Sequence, residues 1–457
     1  MELIIASIVD MYRDNVASIE DPALRDYELR DCYYLADRAL FWGQDDKVVV
    51  TSLPLPLEYV AYVQQALGYK RLVNLAPRQP STSLFEDVLH DHELWAAIVA
   101  HLQGTGPVRL IASMAAPQVH EVAAALRAAG IAVTTPECPP AARLAVRDYL
   151  DGKAGFREFF AAIQDRVPGV RLPEGLVAAG PAEAARAAAR FLGAGRGCLC
   201  KPNYSQSGVG IRMLRPGDMP GSERQIEGAL RASLETDSQM TADVIVVEEL
   251  IEMDPRLGGG SPSLEMRVPA DPAQEVEFMY LCGQILSPTG YFHGVEMYRE
   301  LLAPELERML EEAGLEVARE VRRRGYVGIF DMDLVAGRDG AMYAVEINTR
   351  RTGGTHAHEA AEALFGPRYW QRCAVICNNA LHLAGAPLTY GELQGLLEGI
   401  RFPAAAHKEG ILPTIITSLA EKRFGYLAMA ADIARARELE HDMWQRLTAA
   451  GRPPEAR

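Results

Sequence analysis

Two apolar, strand-like runs joined by a short polar turn constrain this chain most. "GIFDMDLV" carries Asp331 and Asp333, "YAVEIN" carries Glu346 and Asn348, and between them stands "AGRDG", whose Asp-Gly pair is the signature of a tight hairpin turn. Such a hairpin brings Asp333 and Glu346 together, and because side chains alternate along a strand, Asn348 lies on the same face as Glu346. Both runs are too apolar for a surface hairpin with solvated charges, so the acids belong to a sheet covered on both sides. Hard oxygen ligands that leave room for phosphates describe a magnesium site, with manganese as the alternative ion. Asp331 competes with Asp333 for the metal role, and the spacing to Glu346 favours Asp333. Arg350 and Arg351 follow directly, where a guanidinium can hold a phosphoryl or carboxylate oxygen bidentately.

Around this hairpin the chain of 457 residues is too long for one core, since single cores stop growing near roughly 250 to 300 residues. Residues 1–150 alternate short apolar runs ("DKVVVTS", "RLVNLAP", "VRLIAS", "IAVTTPE") with helical stretches such as "LEYVAYVQQALG", which predicts a parallel α/β layer. No GxGxxG follows the first strand, so no dinucleotide is expected. Ala-rich helical segments over 140–195 lead into 197–350, where strand patterns dominate and a long helix near 303–324 interrupts them. That order predicts an α+β region. The tail predicts a helix in "PRYWQRCAVICNNALHLAG" and a strand-helix unit in "GYLAMAADIARARELEHDMWQRL".

A net charge of -15 argues against a nucleic-acid partner, and no run approaches the roughly 18 apolar residues of a membrane span. The N-terminus "MELIIASIVDMYRD" lacks the basic leader and cleavage site of a signal peptide. Seven cysteines without CxxC spacing read as reduced core residues, and the cytoplasm is the expected compartment. A homodimer is the symmetric assembly to expect first.

Two further motifs carry chemistry. In "CLCKPNYSQSGVGIRML", Lys201 ends an apolar strand and Ser205, Ser207, Gly208 and Gly210 make a small-residue turn. Backbone N–H groups of such a turn approach phosphate oxygens closely, and the lysine adds a point charge. Taken alone, the stretch is equally a β-turn with an incidental lysine. In "VIVVEELIEMD", Glu248, Glu249, Leu250 and Ile251 end a buried strand, either as edge residues or as a hinge whose backbone meets an adenine edge; Glu265 in "SLEMRV" is a candidate for ribose. His356 and His358 flank Ala357 without further ligands and read as polar residues lining a substrate or starting a helix. Kinase and P-loop motifs are missing.

The lysine strand with its small-residue loop, the "VVEELI" hinge, the aspartate strand and "EINTR" occur in the order of the ATP-grasp superfamily of carboxylate-amine ligases, which residues from about 150 to 385 resemble. Within that superfamily, "EINTRRTGGTHAHEAAEALFG" and the strand-helix tail resemble the pheganomycin-type peptide ligases. The resemblance implies a Rossmann-like pre-ATP-grasp domain over 1–150 and a two-lobed ATP-grasp domain, its small lobe over 151–252 and its large lobe over 253–385, with a C-terminal extension over 386–457. It implies that Lys201 binds ATP phosphates, that Glu248 and the backbone near Ile251 meet adenine, and that Glu265 meets ribose. Asp333, Glu346 and Asn348 would hold magnesium, and Arg350 or Arg351 would steady an acyl-phosphate. The glycine-rich loop "EMDPRLGGGSPS" departs from simpler members and bears on the ribose assignment. The implied activity joins a small-molecule carboxylate to an amine, an amino acid or peptide. An ATP-grasp enzyme with a non-amine acceptor and a non-catalytic nucleotide-binding protein stay open.

Overall fold

The computed structural model describes residues 1–204, 210–287, 290–403 and 408–455. Its first sheet is built from β1 (Glu2–Ile5), β2 (Asp46–Val50), β3 (Arg71–Leu75), β4 (Val108–Ala112) and β5 (Val133–Thr134), in the order β3-β2-β1-β4-β5 and all parallel. Runs such as Leu3-Ile4-Ile5 and Val48-Val49-Val50 are fully buried, as a parallel sheet covered by helices requires. The parallel layer is therefore the one expected, with β1 added: the N-terminal apolar patch is its central strand.

After β6 (Val170–Arg171), a four-stranded antiparallel sheet follows, made of β7 (Gly175–Ala178), β8 (Cys198–Pro202), β9 (Arg212–Leu214) and β10 (Ile245–Glu249) in the order β7-β10-β8-β9. The helix Pro181–Gly193 lies on it through Ala184, Ala185, Ala188 and Ala189, all fully buried. Without bulky side chains between them, helix and sheet approach closely.

The third sheet holds β11 (Pro262–Val268), β12 (Glu277–Leu286), β13 (Phe292–Met297), β14 (Gly328–Ala336), β15 (Met342–Asn348), β16 (Ala374–His382), β17 (Gly410–Ile415) and β18 (Arg423–Ala430). With β6 it runs β17-β18-β16-β13-β12-β11-β14-β15-β6, antiparallel except where β6 joins β15. One face packs Leu264, Met266, Phe330, Met332 and Ile347 with the helix Pro304–Arg323, the long helix the sequence predicts. The expected extension over 386–457 contributes its strands to this same sheet.

One expectation is corrected. "PRYWQRCAVICNNALHLAG" is a short turn, Tyr369–Gln371, followed by strand β16. Buried on both faces, this run lacks the alternation that separates strand from helix, and pairing with β13 and β18 decides it.

The first domain docks against the third sheet. Asp37 accepts from the N–H groups of Ile416 (2.8 Å) and Thr417 (2.9 Å), and the Tyr59 hydroxyl donates to the Pro413 carbonyl at 3.0 Å. Among the described residues, no helix is long and apolar enough to cross a membrane.

Candidate functional site

β14 and β15 pair Asp333 with Glu346 and Asp331 with Asn348, while β11 sets Ser263 opposite Asp333 and Glu265 opposite Asp331. Residues directly opposite share a face. The acids thus collect on the face away from the apolar core, as the hairpin spacing predicts.

Asn348 ties the pair of aspartates together, its Nδ2 donating to Asp331 Oδ1 at 2.8 Å and to Asp333 Oδ2 at 3.1 Å. Gln284 Nε2 donates to Asp333 Oδ1 at 2.5 Å. Burial, then the charge of Glu346, pushes Asp333 up to about 7. Burial and Asp333 push Asp331 well above the usual carboxylate range. Burial works the same way on Glu346, but Lys153 and Lys201 hold its carboxyl below the usual range. The Lys153 ammonium lies 3.0 Å from Glu346 Oε2.

This crowding is the test for magnesium. Asp333 and Glu346 face each other, and Asn348 stands two residues along the same strand. Two carboxylates and an amide suit an ion that takes its other ligands from phosphate and water. Among the described residues, no three His, Cys, Asp or Glu side chains form an all-protein metal cage. The residues fit magnesium shared with a nucleotide.

On the second sheet, Cys198, Cys200, Ile245 and Val247 point into the core under the Ala-rich helix, which turns Lys201 and Glu248 to the opposite face. Lys201 Nζ lies 2.6 Å from Glu248 Oε2, and Arg157 Nη1 donates to Glu248 Oε1 at 3.1 Å. All the charge there is paired. Glu249 accepts from the Glu174 N–H at 2.8 Å, and Leu250 donates to the Gly197 carbonyl at 2.9 Å. Leu250 and Ile251 are half-buried and leave the strand at this point. Gly210 takes a positive φ of 78°. Ser205, Ser207 and Gly208 lie outside the described residues.

Glu265 and Arg351 are placed differently from their expected roles. Glu265 is fully buried, and Oε2 accepts from the hydroxyls of Tyr280 (2.9 Å), Thr352 (2.7 Å) and Thr355 (2.9 Å). It holds the turn after β15 instead of facing a ribose. Arg351 is buried too, with Nε and Nη2 on Glu137 at 3.0 and 2.7 Å and Nη1 on Glu359 at 2.7 Å. It clamps the first domain to the helix Thr355–Phe365, and its donors are spent on protein carboxylates. Arg350 stays beside the acids, donating to Asn348 Oδ1 at 2.5 Å.

His356 and His358 start that same helix and are buried. Burial pushes His358 down to about 3, and its ring stacks on Tyr280 with centroids 4.8 Å apart. Neutral core histidines describe both.

Sequence reasoning missed Lys153 and Arg157. Both sit on the helix Lys153–Ala161, and the Lys153 N–H donates to the Asn203 carbonyl at 3.0 Å, which brings the helix start to the end of β8. "DGKAGFREFF" carries no spacing signal that would point to this.

Residues 36–128 match the family model described as the Pre ATP-grasp domain. None of the curated proteins compared matches the chain. Among solved structures, the chain is similar to the biotin carboxylase domain dimer of the Hydrogenobacter thermophilus 2-oxoglutarate carboxylase, in complex with MgADP, ADP and bicarbonate. The identity is 15%, the match covers 96% of this chain and 89% of that one, and the TM-score is 0.53. Biotin carboxylase from Campylobacter jejuni, in a β-γ-ATP complex, follows at 11% identity, 95% and 88% coverage, and a TM-score of 0.52. At these identities the likeness establishes fold: a pre-ATP-grasp domain followed by the two-lobed body of the biotin carboxylases.

Proposed function

We propose that this protein is an ATP-grasp ligase that transfers the γ-phosphoryl group of ATP to a carboxylate. An amine then attacks the acyl-phosphate, the carbon–oxygen bond to phosphate breaks, and an amide, ADP and phosphate leave. The observation that carries the reading is the meeting of Asp333, Glu346 and Asn348 with Lys153 and Lys201, whose charges both reach Glu346. The fold of the nucleotide-bound biotin carboxylases supports it.

Phosphoryl transfer is mainly positioning and charge neutralisation, so no covalent nucleophile is required. Magnesium held by Asp333, Glu346 and Asn348 would supply positive charge to the phosphate oxygens. Lys201 would leave Glu248, which keeps Arg157, to meet the phosphates. Lys153 would orient them beside Glu346. Arg350, anchored on Asn348, would direct the carboxylate at the phosphorus. Adenine would meet the backbone from Glu249 to Ile251. Peptide natural-product biosynthesis is the setting we assign, in the cytoplasm, in keeping with seven buried and unpaired cysteines.

The test is nucleotide analysis with ATP, magnesium and a panel of amino acids, peptides and bicarbonate, offered singly and in pairs. ADP that appears only with a carboxylate and an amine together, with a new amide by mass spectrometry, is the expected result. ADP with bicarbonate as the carboxylate would make the enzyme a carboxylase, and AMP would overturn the acyl-phosphate.

A further inference from the structure

Arg350, which the proposed reaction aims at the substrate carboxylate, leaves β15 in a turn that two other elements hold. On one side the first domain takes it: Arg350 bridges to Met114, and the Arg351 N–H donates to the Ser113 carbonyl at 2.9 Å. On the other side stands Asp151, the last residue of the helix Ala145–Asp151. Its Oδ1 accepts the Thr349 N–H at 3.0 Å, and the Thr349 hydroxyl lies 3.3 Å from that same oxygen and from the Arg147 carbonyl. Thr349 is 1% exposed, so Asp151 satisfies a backbone donor that water does not reach.

The same oxygen faces the guanidinium. Asp151 Oδ1 is 3.8 Å from Arg350 Nη1, an ion pair beyond hydrogen-bond length, and that nitrogen donates to Asn348 Oδ1 at 2.5 Å. Both contacts use Nη1. Among the described residues Nε and Nη2 hold no hydrogen bond, so the fork is fixed at one corner and keeps an edge for a substrate oxygen. Two residues on, Lys153 meets Glu346 at 3.0 Å, so Asp151-Gly152-Lys153 sets an anion against the cation of the turn and a cation against the acid of the strand. Between them, a Cβ on Gly152 would stand 3.2 Å from Asn203 Oδ1 and from the Tyr204 ring, and Asn203 Oδ1 accepts the Ala154 N–H at 3.0 Å. The stretch that holds the turn is thereby fixed to the end of β8 as well.

We propose that Asp151 is a positioning residue for Arg350: it holds the backbone of the turn through Thr349 and faces the guanidinium, which keeps the open edge of the fork aimed at the substrate carboxylate. A reacting partner misplaced by about 1 Å costs on the order of a hundredfold in rate, so a carboxylate that touches no substrate can govern turnover. This role rests on the ligase reading for what Arg350 meets, whereas the hold on Arg350 is a property of the chain alone.

Nuclear magnetic resonance on the full chain with 15N-labelled arginine tests it, the Arg350 guanidinium signal being the one lost in Arg350→Lys. Asp151→Asn keeps an oxygen for the Thr349 N–H and removes only the charge that faces Arg350. It should melt like wild type and shift or broaden the Arg350 signal, with the Arg351 signal unmoved. Arg350 unmoved, whether or not the variant melts lower, would make Asp151 a cap of the turn and overturn the proposal. ADP formation with the carboxylate and amine found in the panel supplies the second readout. Asp151→Asn should lower kcat about tenfold and Asp151→Ala about a hundredfold, both with the KM for ATP unchanged. Wild-type kcat in both would also overturn the role. A wild type that binds no magnesium and ATP by calorimetry, or makes no ADP with any pair, would sink the ligase reading alone, since the Arg350 signal still decides what Asp151 holds.

Discussion

The two halves of the candidate site handle charge in opposite ways. On β14 and β15, Asp331, Asp333 and Glu346 are crowded together and burial with mutual repulsion drives the aspartates toward neutrality. On β8 and β10, Lys201 and Glu248 are paired, and Arg157 from the helix Lys153–Ala161 shares the same carboxylate, all within 3.1 Å. The acid end crowds carboxylates that a metal ion can relieve, while at the lysine end each charged group already has a partner of opposite sign. A site assembled from one unbalanced and one balanced half binds by exchanging partners as well as by gaining them.

Glu346→Gln breaks the unbalanced half most directly. ADP formation should fall on the order of a thousandfold, with far-UV circular dichroism unchanged; near-normal turnover would remove Glu346 from the site. Arg351→Met sharpens the contrast from outside, because it leaves Glu137 and Glu359 buried without their cation. Urea denaturation should show a loss of roughly 3 to 5 kcal/mol, while ATP affinity stays within about twofold. An affinity loss as large as that at the lysine end would return Arg351 to the site.

Lys201→Met takes the mobile charge from the balanced half. Calorimetry should show ATP bound about tenfold more weakly, with Glu248 still held by Arg157. Equal affinity would mean that the Lys201–Glu248 pair never opens. Glu265→Gln has the smallest effect expected, since burial pushes this carboxyl up to about 7 against the pull of its hydroxyl donors. At pH 6 the substitution should change stability by less than about 1 kcal/mol and nucleotide affinity not at all. The native state keeps a proton that the unfolded chain releases between the usual carboxylate range and about 7, so this group lowers stability as pH rises through that window. The Glu265→Gln substitution would remove that part of the slope, and an unchanged slope would show the carboxyl ionised throughout.

The hairpin of Asp333 and Glu346 was legible because local spacing and turn chemistry alone specify it. The parallel layer was legible because its strands are short, apolar and separated by helices. β16 was not, since a strand buried on both faces hides its period. Glu265 and Arg351 look like ligand residues in sequence, and only the partners that the fold brings from afar, Thr355 and Glu137, show them to be occupied. Lys153 fails for the complementary reason: it stands at a helix start with nothing nearby in the chain to mark it, and its meaning comes from Glu346, nearly two hundred residues away.

The second sheet begins and ends at one place. Glu249 donates its N–H to the Glu174 carbonyl at 2.8 Å, Glu249 Oε1 accepts the Glu174 N–H at 2.8 Å, and Arg196 joins both carboxylates. Residues 175–249 are thus spliced into the loop between β6 and β11, two strands of the same nine-stranded sheet. The lobe is an insertion whose two ends meet, so the nine-stranded sheet closes on either side of it without any of its strands.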